Sequence, residues 1–178
     1  MKSRYILKPQ DILVLFSLRL AGNKDWVIAE IANGACLSGS ETHAAIKRLA
    51  TSRLFDPVTR RIITAAAQEF LLHGLKYAFP ITPGGRTARG MPTAHSARPL
   101  ADKVVAGELD VYVWPCAFGK ARGTSVTPLY KSVPDAAQKD ERMYELLALT
   151  DALCIGRTRQ RELAAEMLLE RMTGERIQ

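Results

Sequence analysis

The sequence predicts a mostly helical α+β protein, with paired short helices near the N-terminus, a small β-hairpin region in the middle and a helical segment at the C-terminus. Three observations predict it. Residues 26–49 carry apolar side chains at helical spacing on both sides of a tight turn. Residues 108–114 and 125–130 hold the β-branched and aromatic residues of strands. Residues 134–172 return to a helical period, in leucines and methionines. The 178-residue chain is long enough for one good core, or for a small domain plus an extension. Its 47% hydrophobic and 24% charged content excludes wholesale disorder. The spacing divides it into a first unit over 1–76, an Arg/Gly/Pro-rich loop and β-hairpin region over 77–134, and C-terminal helices for packing or dimerisation over 135–178.

The first helix is expected over residues 8–21, with Pro9 in the first turn and Asp11 where the helix dipole favours an acid. Ile12, Leu13, Leu15, Phe16, Leu18 and Leu20 make an apolar face too wide for one neighbour, so this helix sits centrally or also meets a second subunit. Gly22-Asn23 ends it, and Asp25 can cap the short helix that begins at Trp26 and contains Val27, Ile28 and Ile31. Asn33-Gly34 supply residues that tolerate a left-handed helix end. Ser38 followed three residues later by Glu41 is a capping box that starts the next helix, and Leu37 can pack under the turn. In that helix Thr42, Ala45, Ile46 and Leu49 form the inward stripe, which leaves Ser40, His43, Ala44 and Lys47 outside.

These residues resemble the helix-turn-helix of winged-helix transcriptional regulators, the broad class that includes MarR-like proteins. The resemblance covers about the first third of the chain. It implies an N-terminal winged helix-turn-helix whose second helix lies in the major groove of double-stranded DNA. Ser38, Ser40, His43 and Lys47 are then the residues at or near base edges, while Arg48 and Arg53 reach phosphates. It also implies a two-stranded wing after that helix. Leu54-Phe55 and Ile62-Ile63 are the candidate strands around Asp56-Pro57, and Arg60 and Arg61 are candidate phosphate contacts. The connection is shorter than the wing usual in the class.

Thr64 is placed to cap a helix over residues 64–74 that Gly74 ends. Residues 80–99 hold four Pro, three Gly and three Arg without periodicity and read as an exposed loop. As an arm along DNA this loop would offer Arg86 and Arg89, and Arg89-Gly90-Met91-Pro92 is similar to the Arg-Gly-Arg-Pro core of AT-hook peptides, with Met91 in place of the second arginine. The strand over 108–114 is expected to pair with residues 125–130 across a loop that contains Lys120 and Arg122. Asp135 can cap the last helical part. There Met143, Leu146, Leu147, Leu149 and Leu153 form one stripe, Gly156 breaks it, and Leu163, Ala164, Met167, Leu168 and Met172 form another.

The net charge of +7 is uneven. Residues 1–76 carry 11 Lys+Arg against 6 Asp+Glu (+5), residues 77–134 carry 7 against 3 (+4), and residues 135–178 carry 7 against 9 (−2). That distribution favours a polyanionic partner for the first two thirds. Cys36, Cys116 and Cys154 are isolated, and His43, His73 and His95 stand in no metal-ligand spacing, so neither a disulfide framework, a metal site nor another cofactor is expected. No nucleophile elbow or paired acid accompanies His95-Ser96, so no catalytic residue is expected either. No apolar run spans a bilayer and the start does not resemble a signal peptide, so the expected location is cytoplasmic, with no membrane partner. The function expected is sequence-specific transcriptional regulation, as a repressor and homodimer. The alternative is an antitoxin-type or adaptor module whose helical tail binds a partner protein.

Overall fold

The computed structural model describes residues 6–103 and 111–174. The protein is a mostly helical α+β structure built around one helix, α1 (Pro9–Ala21). Residues 12–16 of α1 are completely buried, which resolves its wide apolar face in favour of a central position inside the chain. It packs against α2 (Ile28–Ala35) and α3 (Gly39–Thr51) on one side and against α7 (Glu141–Ile155), in the C-terminal part of the chain, on another. A single hydrophobic cluster runs from Ile12 to Met172, so the helical tail shares its core with the N-terminal helices.

Pro9 opens α1, and the Asp11 carboxylate accepts from the Lys8 amide at 2.9 Å, satisfying one of the amides left free at a helix start. Gly22 ends it with a positive φ of 65°. The second helix differs from expectation at both ends. It is not capped by Asp25: the Glu30 carboxylate reaches back to the Val27 amide at 3.0 Å. Nor do Asn33 and Gly34 end it, because Cys36 takes the left-handed position at φ 53°. Gly34 instead allows close helix contact, since a Cβ there would lie 2.6 Å from Ser17 Oγ, and that hydroxyl donates to the Ile31 carbonyl at 3.0 Å.

After α3, the two-residue strands β1 (Phe55–Asp56) and β2 (Arg61–Ile62) pair antiparallel, Phe55 opposite Ile62. The Asp56 carboxylate closes the turn between them by accepting from the Val58 amide and the Thr59 hydroxyl. Then α4 (Thr64–Glu69) widens into a π-helical turn over Phe70–Gly74 and continues as α5 (Leu75–Ala78). Thr64 lies inside this helix and provides no cap, and Gly74 does not end it: a Cβ there would press to 2.9 Å on the Phe70 ring.

The largest departure from expectation is residues 80–99. They are exposed over much of their length but are not a loop, because β3 (Pro83–Pro92) is a ten-residue strand that pairs on both sides in a small sheet. It pairs antiparallel with β4 (Tyr112–Pro115), Met91 opposite Trp114, and with β5 (Ala121–Val126), Arg89 opposite Arg122. The strands β4 and β5 also pair with each other, in parallel, and close a three-stranded barrel. The expected hairpin between residues 108–114 and 125–130 is therefore replaced by two strands flanking a third; residues 108–110 of the first segment lie outside the described residues. Glycine makes the closure possible. A Cβ on Gly90 would stand 2.0 Å from the Trp114 carbonyl oxygen, and one on Gly123 would stand 2.1 Å from that of Val111, so any side chain there would force the strands apart.

The last three helices are α6 (Val133–Lys139), α7 and α8 (Thr158–Thr173). The cap at the head of α7 is Asp140, which accepts from the Arg142 amide at 2.8 Å; Asp135 is exposed and caps nothing. Both leucine and methionine stripes point into the core, and Gly156 separates the two helices as the sequence predicts.

Candidate nucleic-acid interface

The third helix presents one buried and one polar face. Thr42, Ala45 and Leu49 are fully buried, while Ser40, His43 and Lys47, spaced by a helical turn, are exposed. The start of α3 is fixed by a reciprocal cap. Ser38 Oγ accepts from the Glu41 amide at 3.2 Å and donates to the Glu41 carboxylate at 2.9 Å, and that carboxylate also accepts from the Ser38 amide at 3.4 Å. These bonds, led by the Ser38 hydroxyl, hold the Glu41 carboxyl below its ordinary pKa. Ser38 is thus occupied within the fold. Replacing it with Ala should cost about 1 kcal/mol, a fall in the thermal midpoint of roughly 2–4 °C; an unchanged melting curve would show that the cap does not hold this helix.

Arg48 does not reach phosphate. It turns inward, 9% exposed, and grips the fully buried Asp11 with two donors, Nε to Oδ2 at 2.8 Å and Nη2 to Oδ1 at 2.6 Å. The carboxylate bond holds the guanidinium above its ordinary pKa. The spacing on α3 places Arg48 beside the buried Leu49, and only a buried acid on another helix could draw it in. Asp11, which the sequence offers as a dipole partner, is that acid. The two residues clamp the start of α1 to the last turn of α3.

The two arginines of β2's approach also fold back. Arg60, at φ 56°, places its guanidinium 4.2 Å over the Trp26 ring and donates to the Trp26 carbonyl at 2.8 Å, while Trp26 Nε1 donates to the Arg60 carbonyl at 3.3 Å. Arg61 donates to the carbonyls of Gly22, Asn23 and Lys24. Instead of projecting as phosphate contacts, these side chains fix the β1–β2 turn to the loop that joins α1 and α2. Arg53 remains exposed just past α3, at φ 58°. Arg86 and Arg89 are exposed, but on the strand β3 and not on a loop arm, and Arg89 Nε donates to the Gly119 carbonyl at 2.7 Å.

One segment beside α3 has no signal in the sequence. The Tyr130 hydroxyl donates to Glu41 Oε1 at 3.2 Å, Lys131 is exposed with its ammonium 5.9 Å from the Tyr130 ring, and the buried Ser132 donates to the Ala35 carbonyl at 3.1 Å. Residues 130–132 thus strap the C-terminal part of the chain to the turn between α2 and α3. They bring a lysine to the start of the polar face, where it offsets the Glu41 charge. No period or spacing links residue 130 to residue 41.

Thr93 and Trp114 converge on Asp151, a completely buried carboxylate of α7. The Thr93 hydroxyl and Trp114 Nε1 each donate to its Oδ2 at 2.7 Å. Burial pushes this carboxyl up to about 7, against the two hydrogen bonds that pull it down. Nothing in the helical pattern around Leu149 and Leu153 marks it as a tie between helix and sheet.

Among the described residues, no three His, Cys, Asp or Glu side chains group as metal ligands, and no helix is long and apolar enough to cross a membrane. No family model matches the chain, and neither a curated protein nor a solved structure matches it.

Proposed function

We propose that the chain is a sequence-specific DNA-binding transcriptional regulator of the winged helix-turn-helix kind, acting as a homodimeric repressor. The observation that carries this reading is α3: a capped helix, clamped from behind by Asp11 and Arg48, whose free face offers Ser40, His43 and Lys47 and whose end leads into a two-stranded turn. A helix held by its buried face and polar on the other can enter the major groove with donors at base edges. Lys131 and Arg53 flank that face and supply phosphate contacts. Two copies related by a two-fold axis would read half-sites one helical turn apart.

The test is a fluorescence binding assay on genomic against random duplex DNA. Replacing both His43 and Lys47 with Ala should reduce discrimination between the two by on the order of ten- to a hundredfold while leaving the melting curve unchanged. Discrimination equal to that of the parent protein would remove α3 as the reading element. The alternative of a partner-gripping tail draws no support from α7 and α8, whose apolar stripes are consumed by the core.

A further inference from the structure

The register of the small sheet sets Arg89 directly opposite Arg122 on neighbouring antiparallel strands, with Thr87 opposite Thr124 two residues along. Side chains directly opposite one another share a face and stand about 5 Å apart at Cβ, and like charges in that arrangement destabilise a sheet. The other face of the same pair of strands is closed. Gly90 and Gly123 alternate with the arginines, and their missing side chains make room for the backbone of Trp114 and Val111. Alternation therefore turns Arg89 and Arg122 outward, and both are exposed. Lys120, also exposed, precedes Arg122 by two residues.

Neither guanidinium is neutralised by a described residue. Arg89 uses only Nε, on the Gly119 carbonyl, a bond that orients the side chain and leaves its Nη donors open. Arg122 makes no hydrogen bond or ion pair with any described residue, and between residues 81 and 132 the only described acid is Asp102. Two guanidiniums on directly opposed residues, one of them oriented by the Gly119 carbonyl, with a threonine pair two residues along on the same face, suit the non-bridging oxygens of a phosphodiester chain.

We propose that Arg89 and Arg122 form a phosphate clamp on this sheet that grips the backbone of duplex DNA as a second contact surface, built from residues other than those of α3. The proposal rests on the DNA-binding reading above, but the clamp contributes affinity without sequence preference, so the two fail separately. The experiment is the salt dependence of binding to random duplex DNA and to a genomic fragment, for the parent protein, R89Q/R122Q, R89K/R122K and H43A/K47A. Loss of two phosphate contacts should lower the slope of log affinity against log salt by about 1.8. That loss is expected in R89Q/R122Q on both DNAs, with discrimination between them kept, and R89K/R122K should retain most of the slope. R122Q alone should raise the melting midpoint slightly by relieving the like-charge pair. An unchanged slope in R89Q/R122Q overturns the clamp while leaving α3 untouched. A lower melting midpoint with an unchanged slope assigns the arginines to the fold and overturns it equally. Slope lost in R89Q/R122Q from a protein that shows no sequence preference upholds the clamp and removes the regulator reading. A parent protein that binds neither DNA overturns both.

Discussion

Replacing Arg48 with Met should lower the stability of the protein by about 3–5 kcal/mol, a fall in the thermal midpoint of roughly 6–20 °C. The reason is the charge left behind. Asp11 is fully buried, and its carboxylate accepts from the Lys8 amide and from two Arg48 donors. Without the guanidinium it becomes an uncompensated charge in the core, next to Ile12 and Leu13. The cost is one of desolvation, so the double variant D11L/R48M should recover most of the loss, since a buried ion pair exchanged for apolar side chains is often close to neutral. Arg48→Lys should fall in between, because one ammonium cannot match the two-pronged geometry. Differential scanning calorimetry of the four proteins checks the series. If the R48M variant melts within about 2 °C of the parent, the pair does not hold α1 to α3.

That pair also shows why the sequence discloses one part of the candidate site and conceals another. Inward and outward faces of α3 follow from periodicity, and so does its cap, because Ser38 and Glu41 are local partners three residues apart. Arg48 lies at the margin of the stripe. Its direction depends on a carboxylate 37 residues away, which no local pattern contains. Position along the chain puts Arg60 and Arg61 at the tip of a projecting wing, yet the strands are only two residues long, so both side chains still reach the loop of residues 22–26 and satisfy its carbonyls. The sheet is concealed for a different reason. Strand propensity penalises glycine and proline, and β3 has proline at both ends and glycine within; its pairing includes a cross-strand closeness at Gly90 that only glycine permits, a tertiary property with no signature in a single strand. The helical tail is legible because burial on one face of each helix imposes the leucine and methionine stripes directly.

The stability of the protein should fall as pH rises from about 4 to about 7 through a single buried carboxyl, and Asp151→Asn should flatten that dependence. In the unfolded chain this carboxyl titrates near 4, and in the folded chain near about 7. Between those values the folded protein keeps a proton that the unfolded chain has already released, so folding is favoured at the acid end. That advantage is fully present below pH about 4 and has disappeared once pH passes the folded value. The displacement corresponds to about 4 kcal/mol across the window, or roughly 8–16 °C in thermal midpoint. Two features make Asp151 the group to test. Its neighbour Cys154 is pushed up to about 12, mainly by burial and then by the Asp151 charge, and so stays a neutral thiol throughout the window. Its two donors, Thr93 and Trp114, belong to the sheet region while Asp151 itself belongs to α7, so deprotonation places a buried charge in a tie between them. Asparagine keeps an oxygen to accept from both donors and cannot titrate; its amide adds an offset that does not change with pH. The measurement is the urea midpoint of parent and D151N at intervals between pH 4 and pH 8. The parent midpoint should fall relative to that of D151N as pH rises from about 4 to about 7 and run parallel to it above that value, and curves parallel throughout would show that Asp151 carries its charge in the folded protein at no cost.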